Sequence, residues 1–234
     1  MIDLSHIKAI AFDADDTLWV NEPLFREAEA QFCKLMNPFI AAQECNKILF
    51  DYEMKNLPLY GYGIKPFVLS LIECGMAISN NKLPNETVAQ IIDIGKNMLN
   101  EPVQVLEGIE ETLQKLAKNY RLVMATKGDL LDQERKLIKS GLEEYFHHIE
   151  IVSDKTPKHY LKLMKHLDVA PDEFLMIGNS VKSDILPVLE AGGYAVHVPF
   201  HTTWAHELAT EPLEHPKFAA FESALALTSI LSYS

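Results

Sequence analysis

The feature that most constrains this chain is a short apolar run, Ile7 to Phe12, that stops abruptly at Asp13-Ala14-Asp15-Asp16-Thr17. A run so short, nearly all apolar and free of turn residues, reads as a strand buried on both faces. Three carboxylates within four positions repel one another and disfavour extended backbone. A cation, or a reaction that needs acids, would offset that cost. A solvated strand end with acidic decoration is the alternative, and the stretch alone leaves both open. Asp13 and Asp15 stand two apart, so in extended backbone they face the same way. Two carboxylates in one site take different roles when their surroundings separate their pKa values. One stays ionised as a nucleophile while the other carries a proton for a leaving group.

Beyond this strand the pattern divides the chain. Residues 20–100 read as all-helical. The expected helices run from Glu22 to before Pro38, Ala41 to Met54, Phe67 to Ala77 and Asn85 to Leu99, with a Gly- and Pro-containing loop from Leu57 to Pro66. From Glu101, helix and strand alternate. Strands are expected at Tyr120–Ala125, His148–Val152, Glu173–Ile177 and Tyr194–Val198. Helices are expected around Ile109–Leu116, at Leu130–Lys139, after Thr156-Pro157 and at Val181–Leu189, with a last one around Phe221–Leu231. Such alternation predicts an α/β fold, a Rossmann-like parallel sheet with helices on both faces. The expected organisation is a core domain of 1–19 and 101–234 and an all-helical insertion, 20–100, directly after the acidic strand.

Charge and cysteine use narrow the function classes. A net charge of -12 argues against nucleic acid and anionic membrane surfaces as partners. It leaves a small phosphorylated molecule open, because a bound metal reverses the local field. Cys33, Cys45 and Cys74 form no CxxC pair, and their odd count fits a reducing, cytoplasmic setting with buried thiols. Met1-Ile2-Asp3-Leu4 shows no signal-peptide pattern, and no apolar run approaches a membrane span.

Ligands of open parallel sheets gather at the carboxyl ends of the strands, so the residues after each strand are the candidates. Thr126 follows the second strand. A hydroxyl there, with backbone N–H groups at a helix start, holds a phosphate or equally caps the helix. Lys127 is a candidate phosphate contact or a solvated lysine. After the third strand, Lys155, just before the expected helix start, and Lys158, in its first turn, compete for a place beside the acids. After the fourth comes Gly178-Asn179-Ser180-Val181-Lys182-Ser183-Asp184.

These stretches resemble the haloacid dehalogenase-like superfamily, in its phosphatase branch with a helical cap inserted after the first motif. Phe12-Asp13-Ala14-Asp15-Asp16-Thr17-Leu18 matches that family's Asp-x-Asp-x-Thr motif without a gap. Thr126 matches the second motif and Lys155 the third. The fourth is commonly Gly-Asp-x-x-x-x-Asp, and here Asn179 stands where the first Asp is usual, with Asp184 matching the second. The resemblance implies a Mg²⁺-dependent phosphohydrolase of small phosphomonoesters. Asp13 would be the nucleophile, Asp15 the acid and base, and Thr126 and Lys155 the phosphoryl contacts. Asp13, the Asp15 carbonyl, Asn179 and Asp184 would form the metal site. An amide supplies an oxygen but no charge, so the Asn bears on metal affinity.

A phosphoglucomutase-type phosphotransferase keeps the same acids, a metal-independent haloacid dehalogenase needs no second acid at the place of Asp15, and a non-catalytic binding protein is the remaining alternative. Tyr60 and Tyr62, beside Gly61 and Gly63, are candidate leaving-group contacts, or tyrosines packed on the cap. Phe200-His201-Thr202-Thr203-Trp204, following the last expected strand, is placed near the mouth of the site. The chain is expected to be a monomer or homodimer.

Overall fold

The computed structural model describes residues 4–207 and 213–226. Six parallel strands form one sheet in the order β3-β2-β1-β4-β5-β6. They are β1 (Ala9–Phe12), β2 (Arg121–Lys127), β3 (His148–Val152), β4 (Phe174–Gly178), β5 (Tyr194–His197) and β6 (Phe218–Ala220). The acidic strand is central: Phe12 is opposite Met124 on one side and Ile177 on the other. The sequence pattern expects five strands and misses β6, whose Phe-Ala-Ala carries no alternation and is partly exposed.

Because every inner strand is covered twice, its two sets of alternating side chains enter two different cores. Ile10, Phe12, Leu122, Met124, Leu175 and Ile177 pack with Ile109 and Leu113 of α5 (Ile109–Leu116). Ala9, Ala11, Val123, Phe174 and Met176 pack on the other face with Tyr160 and Leu163 of α7 (Pro157–His166). Each large side chain wholly removed from water, such as Phe12 or Ile10, contributes about 1.5–3 kcal/mol.

The chain divides into two compact units. One comprises Met1–Glu22, Val103–Lys127 and Arg135–Ser234; the other comprises Pro23–Pro102 and Gly128–Glu134. The second contains α1 (Glu22–Met36) from its second residue, then α2 (Ala42–Tyr60), α3 (Ile64–Ile78) and α4 (Asn85–Asn100). It also takes in the start of α6 (Leu130–Ser140), where the ion pair of Lys65 with Asp129 at 2.8 Å lies. The sequence reading placed Gly128–Glu134 with the sheet. Phe32, Met36, Leu49, Leu71 and Ile91 form this unit's core, with all three cysteines buried as free thiols. Helices α3 and α4 approach closely: a Cβ on Gly95 would lie 2.3 Å from Val68 Cγ2.

Two expectations about elements are corrected. The loop predicted for Leu57–Pro66 is only Gly61–Gly63, because α2 continues through Pro58 to Tyr60. Pro58 lies in the last turn, where its missing N–H costs one bond, and Leu57 O accepts from Gly61 N at 2.9 Å. Pro66 falls in the first turn of α3, where N–H groups have no helical partner. Gly61 (φ 78°) and Gly63 (φ 111°) make the reversal, at angles that disfavour other residues.

The helix predicted for Val181–Leu189 is a π-turn, Val181–Ile185, followed by α8 (Leu186–Glu190). Pro187 has no N–H to give to Ser183 O; Tyr160 Oη donates there instead, at 3.1 Å. Of the helix expected around Phe221–Leu231, only 221–226 falls among the described residues, and 224–226 there is helical. No helix among the described residues is long and apolar enough to cross a membrane.

Candidate active site

Asp13 leaves the carboxyl end of β1 with its backbone tied to the sheet, its N–H donating to Ile177 O at 2.9 Å. The next residues turn at once. Asp16 has φ 61°, and its carboxylate accepts from the N–H groups of Asn21 (2.8 Å) and Glu22 (3.0 Å), closing the turn at the start of α1. Asp16 is thus a structural acid. Burial pushes its carboxyl up to about 7, against the lowering effect of those N–H bonds.

Lys155 lies just before α7, whose start is capped by Thr156 Oγ1 accepting from His159 N. Its ammonium is buried between two carboxylates, 2.5 Å from Asp13 Oδ1 and 2.6 Å from Asp184 Oδ1. Burial alone would lower the lysine pKa, but Asp13 and Asp184 more than offset that and raise it, so Lys155 is a cation. Burial pushes the Asp13 carboxyl up to about 7, opposed by Lys155 and reinforced by Asp184. The alternative, Lys158, is exposed on α7.

Asp184 is held at its second oxygen by Ser180 N at 3.0 Å. Gly178 explains how it fits: a Cβ there would lie 2.2 Å from Asp184 Oδ2. Asn179 N donates to Thr17 Oγ1 at 3.1 Å, and Thr17 Oγ1 lies 3.4 Å from Asp13 Oδ2 as donor. Three acceptors surround one end of the Asn179 carboxamide, so its nitrogen sits there. It donates to Asp13 Oδ2 and Thr17 Oγ1 at 3.2 Å and to the Asp15 carbonyl at 3.3 Å.

These same groups test the fit of a metal. A carboxylate, a backbone carbonyl and a carboxamide converge, and turning the amide would present a third hard oxygen, the ligand type that Mg²⁺ takes. Among the described residues no three His, Cys, Asp or Glu side chains form a metal cluster; the third group here is an amide. Asp184, engaged by Lys155 and Ser180, stands behind this set.

The other expected residues are placed variously. The Asp15 carboxylate accepts from Trp19 Nε1 at 2.8 Å and pairs with Lys136 at 2.5 Å. Thr126 is buried at the end of β2. The Lys127 ammonium pairs with Glu207 at 2.5 Å and donates to Ser183 Oγ at 2.8 Å. In the helical unit, Tyr60 Oη donates to Glu73 Oε1 at 2.7 Å, and Tyr62 is half-buried in the Gly61–Gly63 turn. His201 is exposed and bonded to its neighbour Thr202 at 2.7 Å.

Lys136, Glu207, Ser180 and Ser183 were missed by the sequence reading. Lys136 carried no signal beyond its place on the helix after β2. Glu207 lies three residues past the Trp204 of a stretch singled out for other reasons.

Comparison with known proteins adds relatives to this geometry. A family model described as haloacid dehalogenase-like hydrolase matches residues 7–192. A glyceraldehyde 3-phosphate phosphatase of Methanopyrus kandleri is 27% identical over 82% of this chain and 84% of its own. A human N-acylneuraminate-9-phosphatase is 22% identical over 90% of this chain and 87% of its own. A solved haloacid dehalogenase-like family hydrolase from Xanthomonas campestris is 32% identical, covering 97% of this chain and 91% of that one with a TM-score of 0.88.

Proposed function

The chain belongs to the haloacid dehalogenase-like hydrolases, and from that premise we propose that it is a Mg²⁺-dependent phosphatase of small phosphomonoesters, working through an aspartyl-phosphate. The observation that carries this reading is the buried Asp13–Lys155–Asp184 arrangement at the carboxyl edge of the sheet. It couples an acid that can attack with a fixed cation that can hold a phosphoryl oxygen.

Asp13 attacks phosphorus, and the bond from phosphorus to the leaving oxygen breaks. Asp15 gives its proton to that oxygen, then takes one from the water that cleaves the acyl phosphate. Release of Asp15 from Lys136 and Trp19 goes with this role. Lys155 and Thr126 hold the phosphoryl group. Asp13, the Asp15 carbonyl and Asn179 would hold Mg²⁺, with Asp184 behind them. When bound, the ion neutralises charge on the phosphoryl oxygens.

The helical unit acts as the cap that selects the leaving group, with Tyr60 and Tyr62 as its candidate contacts. The two related phosphatases, named for glyceraldehyde 3-phosphate and an N-acylneuraminate 9-phosphate, support a small phosphorylated molecule as the substrate. Turnover of p-nitrophenyl phosphate with and without Mg²⁺, followed by a panel of sugar phosphates, nucleotides and phospho-acids, tests the proposal. Release of phosphate that requires Mg²⁺ is expected. No release from any phosphomonoester would overturn it.

A further inference from the structure

One charged cluster beside the site has no part in the steps above. The Glu207 carboxylate accepts from Lys127 Nζ at 2.5 Å and from Ser183 Oγ at 2.9 and 3.1 Å, and is hydrogen-bonded by Ser180 Oγ. Its side chain is only 13% exposed, as is that of Lys127. Burial alone would raise its pKa; Lys127 and the two hydroxyls hold it below the ordinary range, so it is an anion. It arrives on a short 3-10 turn, Ala205–Glu207, that is fastened separately by Lys182 Nζ donating to His206 O at 2.8 Å.

The two serines frame the turn that carries Asp184. Ser183 N donates to Ser180 Oγ at 3.1 Å, and Ser180 N holds Asp184 Oδ2 at 3.0 Å. Asp184 in turn grips Lys155, which grips Asp13. A continuous set of hydrogen bonds thus runs from Glu207 through Ser180, Asp184 and Lys155 to the attacking carboxylate, with a lysine beside a carboxylate at each end. Lys127 needs a counter-anion because it is largely buried.

We propose that Glu207 is a positioning residue: Lys127, Ser180 and Ser183 form a carboxylate site that the chain fills with its own side chain, and filling it sets the Asp184 turn and therefore Lys155. The catalytic half of this inference rests on the phosphatase reading; the carboxylate site does not.

The test is chemical rescue. Glu207→Ala removes the anion and leaves space for formate. The variant is expected to lose about 10- to 100-fold in kcat on p-nitrophenyl phosphate, the scale at which groups supporting a site act. Formate should restore much of the loss and raise the variant's melting midpoint, while chloride at equal ionic strength should do neither. A Glu207→Ala/Lys127→Met double variant should not respond to formate. Should Glu207→Ala fail to fold, Glu207→Gln is expected to keep the melting midpoint within a few degrees and still lose kcat. A wild-type kcat in the folded variant, or a loss that formate leaves untouched, would overturn the proposal. If the wild-type protein hydrolyses no phosphomonoester, the phosphatase reading falls. The formate-dependent melting midpoint then decides the carboxylate site by itself.

Discussion

The two units bury different things. At the carboxyl edge of the sheet, Asp13, Lys155 and Asp184 lie out of water in contact with one another, with Asp16 buried nearby. The helical unit buries Phe32, Leu49, Leu71 and Ile91 together with three thiols. Burial pushes Cys74 up to about 12 and Cys45 higher, so both are protonated and pack as small apolar groups. Two of its buried polar residues meet across α2 and α3, Asn56 Nδ2 donating to Ser70 Oγ and to the half-buried Glu73 Oε2 at 3.2 Å. In the first region the identity of each charge matters, because losing one leaves another unpaired. In the second, volume matters. This difference follows from what the sheet edge is for: a parallel sheet exposes its chemistry there, and a helical bundle has no such edge.

The comparison can be broken first at its strongest point. Lys155→Met keeps much of the side-chain volume but leaves Asp13 and Asp184 facing each other without a cation. Loss of a partner from a buried pair costs about 3–5 kcal/mol, so the variant should melt well below wild type and have no measurable turnover. Denaturant unfolding and a p-nitrophenyl phosphate assay check both. A variant of wild-type stability would show that the charges do not depend on one another.

Next is Gly178→Ala. The added methyl would overlap the Asp184 carboxylate, so Asp184 has to move and release Lys155. Turnover should fall by about 10-fold or more, with a stability loss of about 1–3 kcal/mol from overpacking. Unchanged kinetics would remove Asp184 from the account.

On the other side, Leu71→Ala in the helical unit should cost about 2–5 kcal/mol of stability through the cavity it leaves. At a temperature where it remains folded, kcat on p-nitrophenyl phosphate should stay near wild type. A kcat that fell in step with stability would mean that the two regions are not separable in this way.

The smallest effect is one of pH. Asp16 has its folded pKa raised to about 7 from an ordinary value of 3.8. Between those values the folded state holds a proton that the unfolded state has released. Its contribution to stability is therefore full below the lower value and is lost as pH rises through the upper one. Asp13 has the same sign. Asp16→Asn should flatten the decline in melting midpoint between about pH 4 and pH 7. Identical pH profiles for the two proteins would contradict this.

How much of this could be read beforehand follows the same division. The acidic motif after β1 was legible because buried strands are apolar and three acids at such an end are conspicuous. Looking after each strand finds the stretches that hold Lys155, Asn179 and Asp184, and the resemblance to the family's motifs picks those residues out of them. The continuation of α2 through Pro58 was not legible, since a proline reads as a breaker unless its place in the last turn is known. Strand β6 is too short and too exposed to show a period. Lys136 and Glu207 could not be found by spacing at all. They reach Asp15 and Lys127 across 121 and 80 residues, respectively, and only the fold brings them together.

The central claim is that Asp13 performs the attack. Its most direct measurement is the turnover of p-nitrophenyl phosphate with Mg²⁺ by Asp13→Asn, with circular dichroism confirming the fold. The amide nearly keeps the shape of the carboxylate but is a poor nucleophile. A folded variant without measurable turnover is the predicted result; a folded variant that releases phosphate at the wild-type rate would contradict the account.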